Sequence, residues 1–268
     1  MPSRRIPAGI VNEQLANRMF TLSRHAPAPG LAPFVDHYWV LRWDLTGKPP
    51  HEQRVLPNLA VNVTFFQRAS GVFGPAHEVF SHVLDGAGQG VGARFRPGCF
   101  RPFLGRAVST ITDRSIPLEE IFGSVAGTIT ESVQKAADDG EIVRQMDSLL
   151  STNARRLPPA AGRAAEVVES IADEPAITKV SDLVTLSGLG ARSLQRLFAE
   201  HVGTTPKWAI RVCRINDAAR RITTDPAPDY AALAADLGYS DQAHFSRDLR
   251  TMTGVPPSEY TRLNRSDA

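Results

Sequence analysis

The sequence predicts a two-domain α+β chain: a β-rich first half, then an all-α second half of two helix-turn-helix units joined by a long helix. Three observations predict it. Short alternating apolar runs, cut by Gly and Pro, fill the first 100 or so positions. The apolar period becomes helical from Pro117. A helix-glycine-helix pattern then occurs twice, about fifty residues apart.

In the first half, His37-Tyr38-Trp39-Val40-Leu41-Arg42-Trp43 alternates as a half-buried strand does. Leu59 to Phe66 repeats the pattern, with Leu59, Val61, Val63 and Phe65 on one face. Shorter runs at Ser70–Phe73, His82–Leu84 and Gly90–Phe95 complete the set, with turns marked by Gly47, Pro49, Gly74, Pro75, Gly86 and Gly98. Short strands of this spacing predict a small antiparallel β-barrel of the cupin-like kind. Pro117 suits a helix start. Val125, Ile129 and Val133, then Ile142, Val143, Met146, Leu149 and Leu150, predict two amphipathic helices that close the first domain or form a dimer seam. The first domain is expected over 1–151. A polar, proline-ended linker follows over 152–160, and the helical domain runs over 161–268.

The repeat in the second half can be counted. Leu183 matches Leu233 and Gly188 matches Gly238 at an offset of 50. Beyond the turn the offset is 51: Leu194 with Phe245, Arg196 with Arg247, Gly203 with Gly254, Pro206 with Pro257. One extra residue in the second turn explains the change. Helix-turn-helix units are expected at about 181–202 and 230–253, joined by a helix over about 206–223. At about 1.5 Å per residue that helix spans roughly 27 Å. Such a rod can hold two recognition helices near the roughly 34 Å spacing of successive major grooves.

Composition excludes some classes and leaves others open. Hydrophobic residues make up 42% and charged residues 22%, as in an ordinary globular chain. No apolar run reaches the roughly 20 residues of a membrane span. Met1-Pro2-Ser3-Arg4-Arg5-Ile6-Pro7 has no apolar stretch behind its arginines, so no secretory signal is expected and the location is read as cytoplasmic. Cys99 and Cys213 match no zinc or redox spacing and read as free thiols. From Gly162 onward there are 13 Lys and Arg against 14 Asp and Glu, a net of −1. The helical half is therefore not basic as a whole. Any contact with DNA must come from basic residues gathered on one face, with Asp173, Glu174, Asp225 and Asp229 placed elsewhere.

These residues resemble a known family. Gly238-Tyr239-Ser240-Asp241-Gln242, His244-Phe245-Ser246-Arg247, Gly254 to Pro257, and Tyr260 follow the DNA-binding domain of AraC/XylS-type transcriptional regulators, and Leu194-Gln195-Arg196-Leu197-Phe198 fits its first unit. Gly190 stands where the family has a serine N-cap, Val184 replaces the usual alanine, and Leu249 and Met252 stand where phenylalanine is frequent. His37-Tyr38-Trp39, Leu56-Pro57 and Gly92-Ala93-Arg94-Phe95-Arg96-Pro97-Gly98 resemble the N-terminal domain of one AraC-type subgroup, which implies effector sensing or dimerisation. The resemblance implies a DNA-binding regulator without catalysis, an activator or a repressor. It would take double-stranded DNA in the major groove, with RNA polymerase, a small-molecule effector and a second copy of the chain as candidate partners, and no membrane.

Recognition helices place outward side chains against base edges. Arg192, Gln195 and Arg196 share a face by their i, i+3, i+4 spacing. Arginine matches the O6/N7 edge of guanine, and glutamine the N6/N7 edge of adenine. In the second unit Asp241 is the expected N-cap, with Gln242, Ser246 and Arg247 facing DNA. His244 is read as a phosphate contact or as partner to a buried backbone group. Lys207, Arg211 and Arg214 on the joining helix are candidate phosphate ligands, against the plainer reading of solvated charges. Trp208 reads as core. Arg94 and Arg96, two apart on a strand, form with Trp39 the candidate effector site, with an interdomain contact as the competing reading. His77 and His82 are one residue too far apart for a zinc helix pair, and no cofactor or metal is expected. The alternative function is a DNA-targeted, repair-type enzyme with Cys99 as nucleophile.

Overall fold

The computed structural model describes residues 9–264 apart from Arg68 and Pro226; the opening segment Met1–Pro7, read above for a signal, lies outside the described residues. A short helix α1 (Glu13–Met19) leads into β1 (Phe20–His25) and β2 (Val35–Asp44). Then come β3 (His51–Val55), β4 (Asn62–Phe65), β5 (Gly71–Phe73), β6 (Phe80–Leu84) and β7 (Ala87–Phe95). A turn of helix α2 (Arg101–Leu104) and the two-residue β8 (Ser115–Ile116) precede α3 (Glu119–Phe122), α4 (Val125–Lys135) and α5 (Asp139–Asn153).

The strands form a six-stranded antiparallel sheet in the order β1-β2-β7-β4-β5-β8, with β3 and β6 paired as a separate ribbon. The ladder does not close into a barrel. Strands β5 and β8 are only 3 and 2 residues long, too short to carry pairing round to β1. The run expected from Leu59 is a strand only from Asn62, because Leu59 is drawn into the core of the helical half.

The two faces of the sheet have different fates. Tyr38, Val40, Val63, Phe65, Val91, Ala93 and Phe95 pack under α4 and α5, against Ala126, Val133, Ile142, Met146 and Leu150. Asp147 on α5 anchors this layer by accepting hydrogen bonds from Tyr38 Oη (2.8 Å) and the Ala28 amide (2.9 Å). The apolar stripes of α4 and α5 are thus covered by their own sheet. On the other face His37, Trp39 and Leu41 look into a cavity.

The second half runs through α6 (Pro159–Asp173), α7 (Val180–Ser187), α8 (Ala191–Leu197), α9 (Pro206–Thr224), α10 (Tyr230–Asp236), α11 (Gln242–Thr253) and α12 (Pro257–Leu263). A π-type turn over Phe198–Val202 extends α8. Ile215, Ala219 and Ile222 form the buried stripe of α9, as their spacing predicts. The core of this half also takes in Val11, Leu56 and Leu59 from the first half. Among the described residues no helix is long and apolar enough to cross a membrane.

Candidate nucleic-acid interface and ligand cavity

In the first helix pair, Asp182 holds the start of α7 by accepting the amides of Thr178 (3.0 Å) and Lys179 (2.8 Å). Gly188 ends α7 with φ 65°, the left-handed turn that glycine adopts without steric cost. Leu194 and Phe198 then point into the core, and Arg192, Gln195 and Arg196 are exposed together on the opposite side of α8. Gly190 offers no side chain to cap that helix.

The second pair repeats the plan with better caps. Asp229 accepts the amides of Ala231 and Ala232 at the start of α10. Gly238, φ 72°, presses against Thr178, where an added Cβ would lie 2.6 Å from Cγ2. Asp241 caps α11 through the His244 amide at 2.7 Å. Phe245, Leu249 and Met252 are buried, Gln242, His244 and Arg247 are exposed, and Ser246 is half-buried. The His244 imidazole bonds Ser240 Oγ at 3.2 Å and lies edge-on to Tyr239. Arg250, three residues after Arg247, is exposed on the same face. The sequence reading missed it, although the i, i+3 spacing was there to be seen.

Charge is sorted between faces. Helix α8 carries no acidic residue, and α11 carries only Asp248, which turns inward. Glu174, Asp225 and Asp229 sit at helix ends instead. Two of the joining helix's four arginines make internal contacts. Arg211 binds Asp248 through two hydrogen bonds, 2.8 and 3.2 Å, and lies over the Trp208 ring. Arg214 stacks on Tyr239 at 3.7 Å. Of the arginines expected on phosphate, Arg211 ties α9 to α11 through Asp248 and Arg214 is engaged with Tyr239. Lys207 remains exposed near the start of α9.

In the first half, a cavity of about 940 Å³ lies between the sheet and the β3–β6 ribbon. Its floor depends on alternate glycines of β7. Added Cβ atoms at Gly88, Gly90 and Gly92 would lie 2.4, 2.2 and 2.3 Å from Trp43, Phe66 and Trp39, so only glycine lets these rings lie on the strand. Arg94 continues the row and lines the cavity with Trp39. Arg96 does not. It leaves the strand's end to pair with Glu169 on α6, so the two arginines form no clamp and the interdomain reading holds for Arg96. The Gly-x-Gly-x-Gly-x-Arg pattern was the overlooked signal.

The remaining candidates are placed as follows. Cys99 is buried, and burial pushes its thiol up to about 11. His77 and His82 both line the cavity. His77 bonds Asp113 at 2.6 Å, and His82 packs on Phe66. Among the described residues no group of three or more His, Cys, Asp or Glu side chains is placed to hold a metal ion.

Two family models match separate stretches of the chain. Residues 23–117 match a family described as a domain of unknown function (DUF6597). Residues 183–263 match a helix-turn-helix domain family. Over 163 residues the chain is 28% identical to the transcriptional activator NphR of a Rhodococcus species. The second half carries an AraC/XylS-type helix-turn-helix domain. The alignment with NphR takes in 59% of this chain and 45% of that protein, so the chain spans under half the length of this curated relative. A solved AraC-type regulator from Chromobacterium violaceum is similar at 21% identity and TM-score 0.36, over 40% of this chain and 95% of that one. ToxT of Vibrio cholerae aligns over 92% of this chain and 100% of its own, at 9% identity and TM-score 0.41. The AraC-type domain shares its core with residues of the first half, so the two halves meet across a packed seam.

Proposed function

We propose that the chain is a sequence-specific DNA-binding transcription regulator of the activator kind, acting in the cytoplasm and carrying no catalysis. The observation that carries this reading is the pairing of two acid-free, outward polar faces on one scaffold. Arg192, Gln195 and Arg196 read bases from α8, and Gln242, Ser246, Arg247 and His244 contact DNA from α11, with Lys207 on phosphate. Residues 161–268 form the DNA-binding unit, 152–160 the linker, and 1–151 a unit that senses an effector or pairs with a second copy. The sheet and ribbon around the cavity are an opened version of a cupin-like barrel. RNA polymerase is the partner that activation requires.

Footprinting on the DNA upstream of the protein's own coding sequence tests the reading. Two protected segments about one helical turn apart are expected, with affinity falling steeply as salt rises. Protection that is absent or independent of sequence would sink it. The repair-enzyme alternative loses its support with Cys99 buried and its thiol held protonated.

A further inference from the structure

We propose that the cavity in the first half binds an amphipathic carboxylic acid, with its apolar body against Trp39, Phe66 and Phe73 and its carboxylate on Arg94. This rests on the effector-sensing part of the function proposed above and names the class of effector.

Arg94 is only 7% exposed, yet its Nη2 has no hydrogen-bond partner. Its acidic neighbour Asp36 lies 3.6 Å from Nε and bonds the His37 ring at 3.0 Å. A buried guanidinium with a loose ion pair and an orphaned donor is costly unless something completes it. The charge around it points the same way. Arg24, cross-strand partner of Trp39, also lines the cavity, so two guanidiniums face one carboxylate at this end. Around Arg94 this local balance favours a monoanion over a cation, whereas the whole lining, with Glu78, Asp113 and Arg114, is evenly charged. Carboxylate is the planar group that matches the guanidinium fork. Asn62, paired with Arg94 across the ladder, and Thr64 add neutral polar groups at the same end.

Much of the remaining lining is apolar, with Glu78, Asp113, Arg114, His77 and His82 among the charged and polar side chains away from Arg94. Trp39 and Phe66, lying on the glycine row, form with Phe73, Phe80 and Leu84 an apolar surface for the body of a ligand. A small hydrophilic anion would gain only the head contact, and a neutral hydrocarbon only the body. An acid carrying an aromatic or aliphatic body gains both.

Isothermal titration calorimetry of the full chain, without DNA, tests this with biphenylacetate, the neutral biphenylacetamide and a biphenylethylammonium salt. Biphenylacetate is expected to bind saturably and about tenfold more tightly than the amide, with no binding of the cation. Arg94→Gln should bind acid and amide alike. Arg24→Gln, at an exposed position that tolerates change, should reduce the preference in part, and it keeps the test open if Arg94→Gln does not fold. Equal binding of acid and amide, no saturable binding of the acid at millimolar concentration, or an undiminished preference in folded Arg94→Gln would each overturn the proposal. Since no DNA is present, these outcomes are separate from the footprinting result.

Discussion

The imidazole of His77 lies against the indole of Trp208, with ring centroids 4.5 Å apart. His77 belongs to the cavity wall, and Trp208 to the first turn of the helix that joins the two recognition units. Thr204 Oγ1 meets His77 Nε2 at 3.3 Å, and Arg211, on the other side of this contact, lies over Trp208 and binds Asp248 of α11. A chain of packed side chains therefore runs from the cavity to a recognition helix. His77→Ala removes the ring contact and two side-chain hydrogen bonds, and is expected to destabilise the full chain by roughly 1–2 kcal/mol. The shift in urea midpoint measures it. An unchanged midpoint would mean that the seam contributes nothing.

Arg196→Ala should relax base preference, costing roughly 1–3 kcal/mol against the preferred base and little elsewhere. Lys207→Ala should weaken all sequences alike and lower the salt slope by about 1. Binding titrations on matched and mismatched duplexes at two salt concentrations separate them. Similar effects from both variants would reject the division between base reader and phosphate ligand.

Arg211→Ala should act on stability before it acts on DNA. The Asp248 side chain is 12% exposed, and removing its partner leaves a carboxylate largely out of water. A loss of roughly 2 kcal/mol is expected, less than for a fully enclosed pair because Arg211 is 29% exposed. Thermal unfolding checks it. A variant of normal stability with uniformly weaker DNA binding would restore Arg211 as a phosphate ligand.

Asp139, at the start of α5, sets a pH dependence. Burial opposes its charged form, but hydrogen bonds from Ser23, Arg42 and His25, with the Arg42 charge, hold its carboxyl below its ordinary 3.8. A carboxyl depressed in the folded state adds stability at pH values above its unfolded pKa, and that stability is lost as pH falls through the folded one. Unfolding free energy should therefore drop below about pH 4, and Asp139→Asn should flatten that part of the profile. Parallel acid profiles for both proteins would refute the assignment.

Cys99 and Cys213 should resist alkylation in the native protein at neutral pH. Burial pushes their thiols up to about 11 and about 12; at Cys99 the Arg96 charge opposes this and Glu169 adds to it. Mass spectrometry after iodoacetamide is expected to find labelling only upon unfolding. Rapid native labelling of Cys99 would revive the nucleophile reading.

Much of the second half was legible in the sequence because its information is local. Leu194 and Phe198 against Arg192 and Arg196, the glycines at 188 and 238, and the Asp241 cap all act within one or two helical turns, where a 3.6-residue period states which side faces in. Strand alternation likewise separated Tyr38 and Val40 from Trp39 and Leu41.

What covers each face was decided by the tertiary structure. Arg96 meets Glu169 across 73 positions, and Arg211 meets Asp248 across 37, and no periodicity encodes either partner. The open edge of the sheet, the glycine row beneath the aromatic rings and the incompletely paired Arg94 likewise arise from segments brought together by folding. The sequence by itself determined the helix pairs and their outward faces, since backbone propensity and side-chain period are short-range. The cavity, and the guanidiniums taken out of solvent, needed the three-dimensional arrangement, since desolvation and ion pairing depend on neighbours distant in the chain.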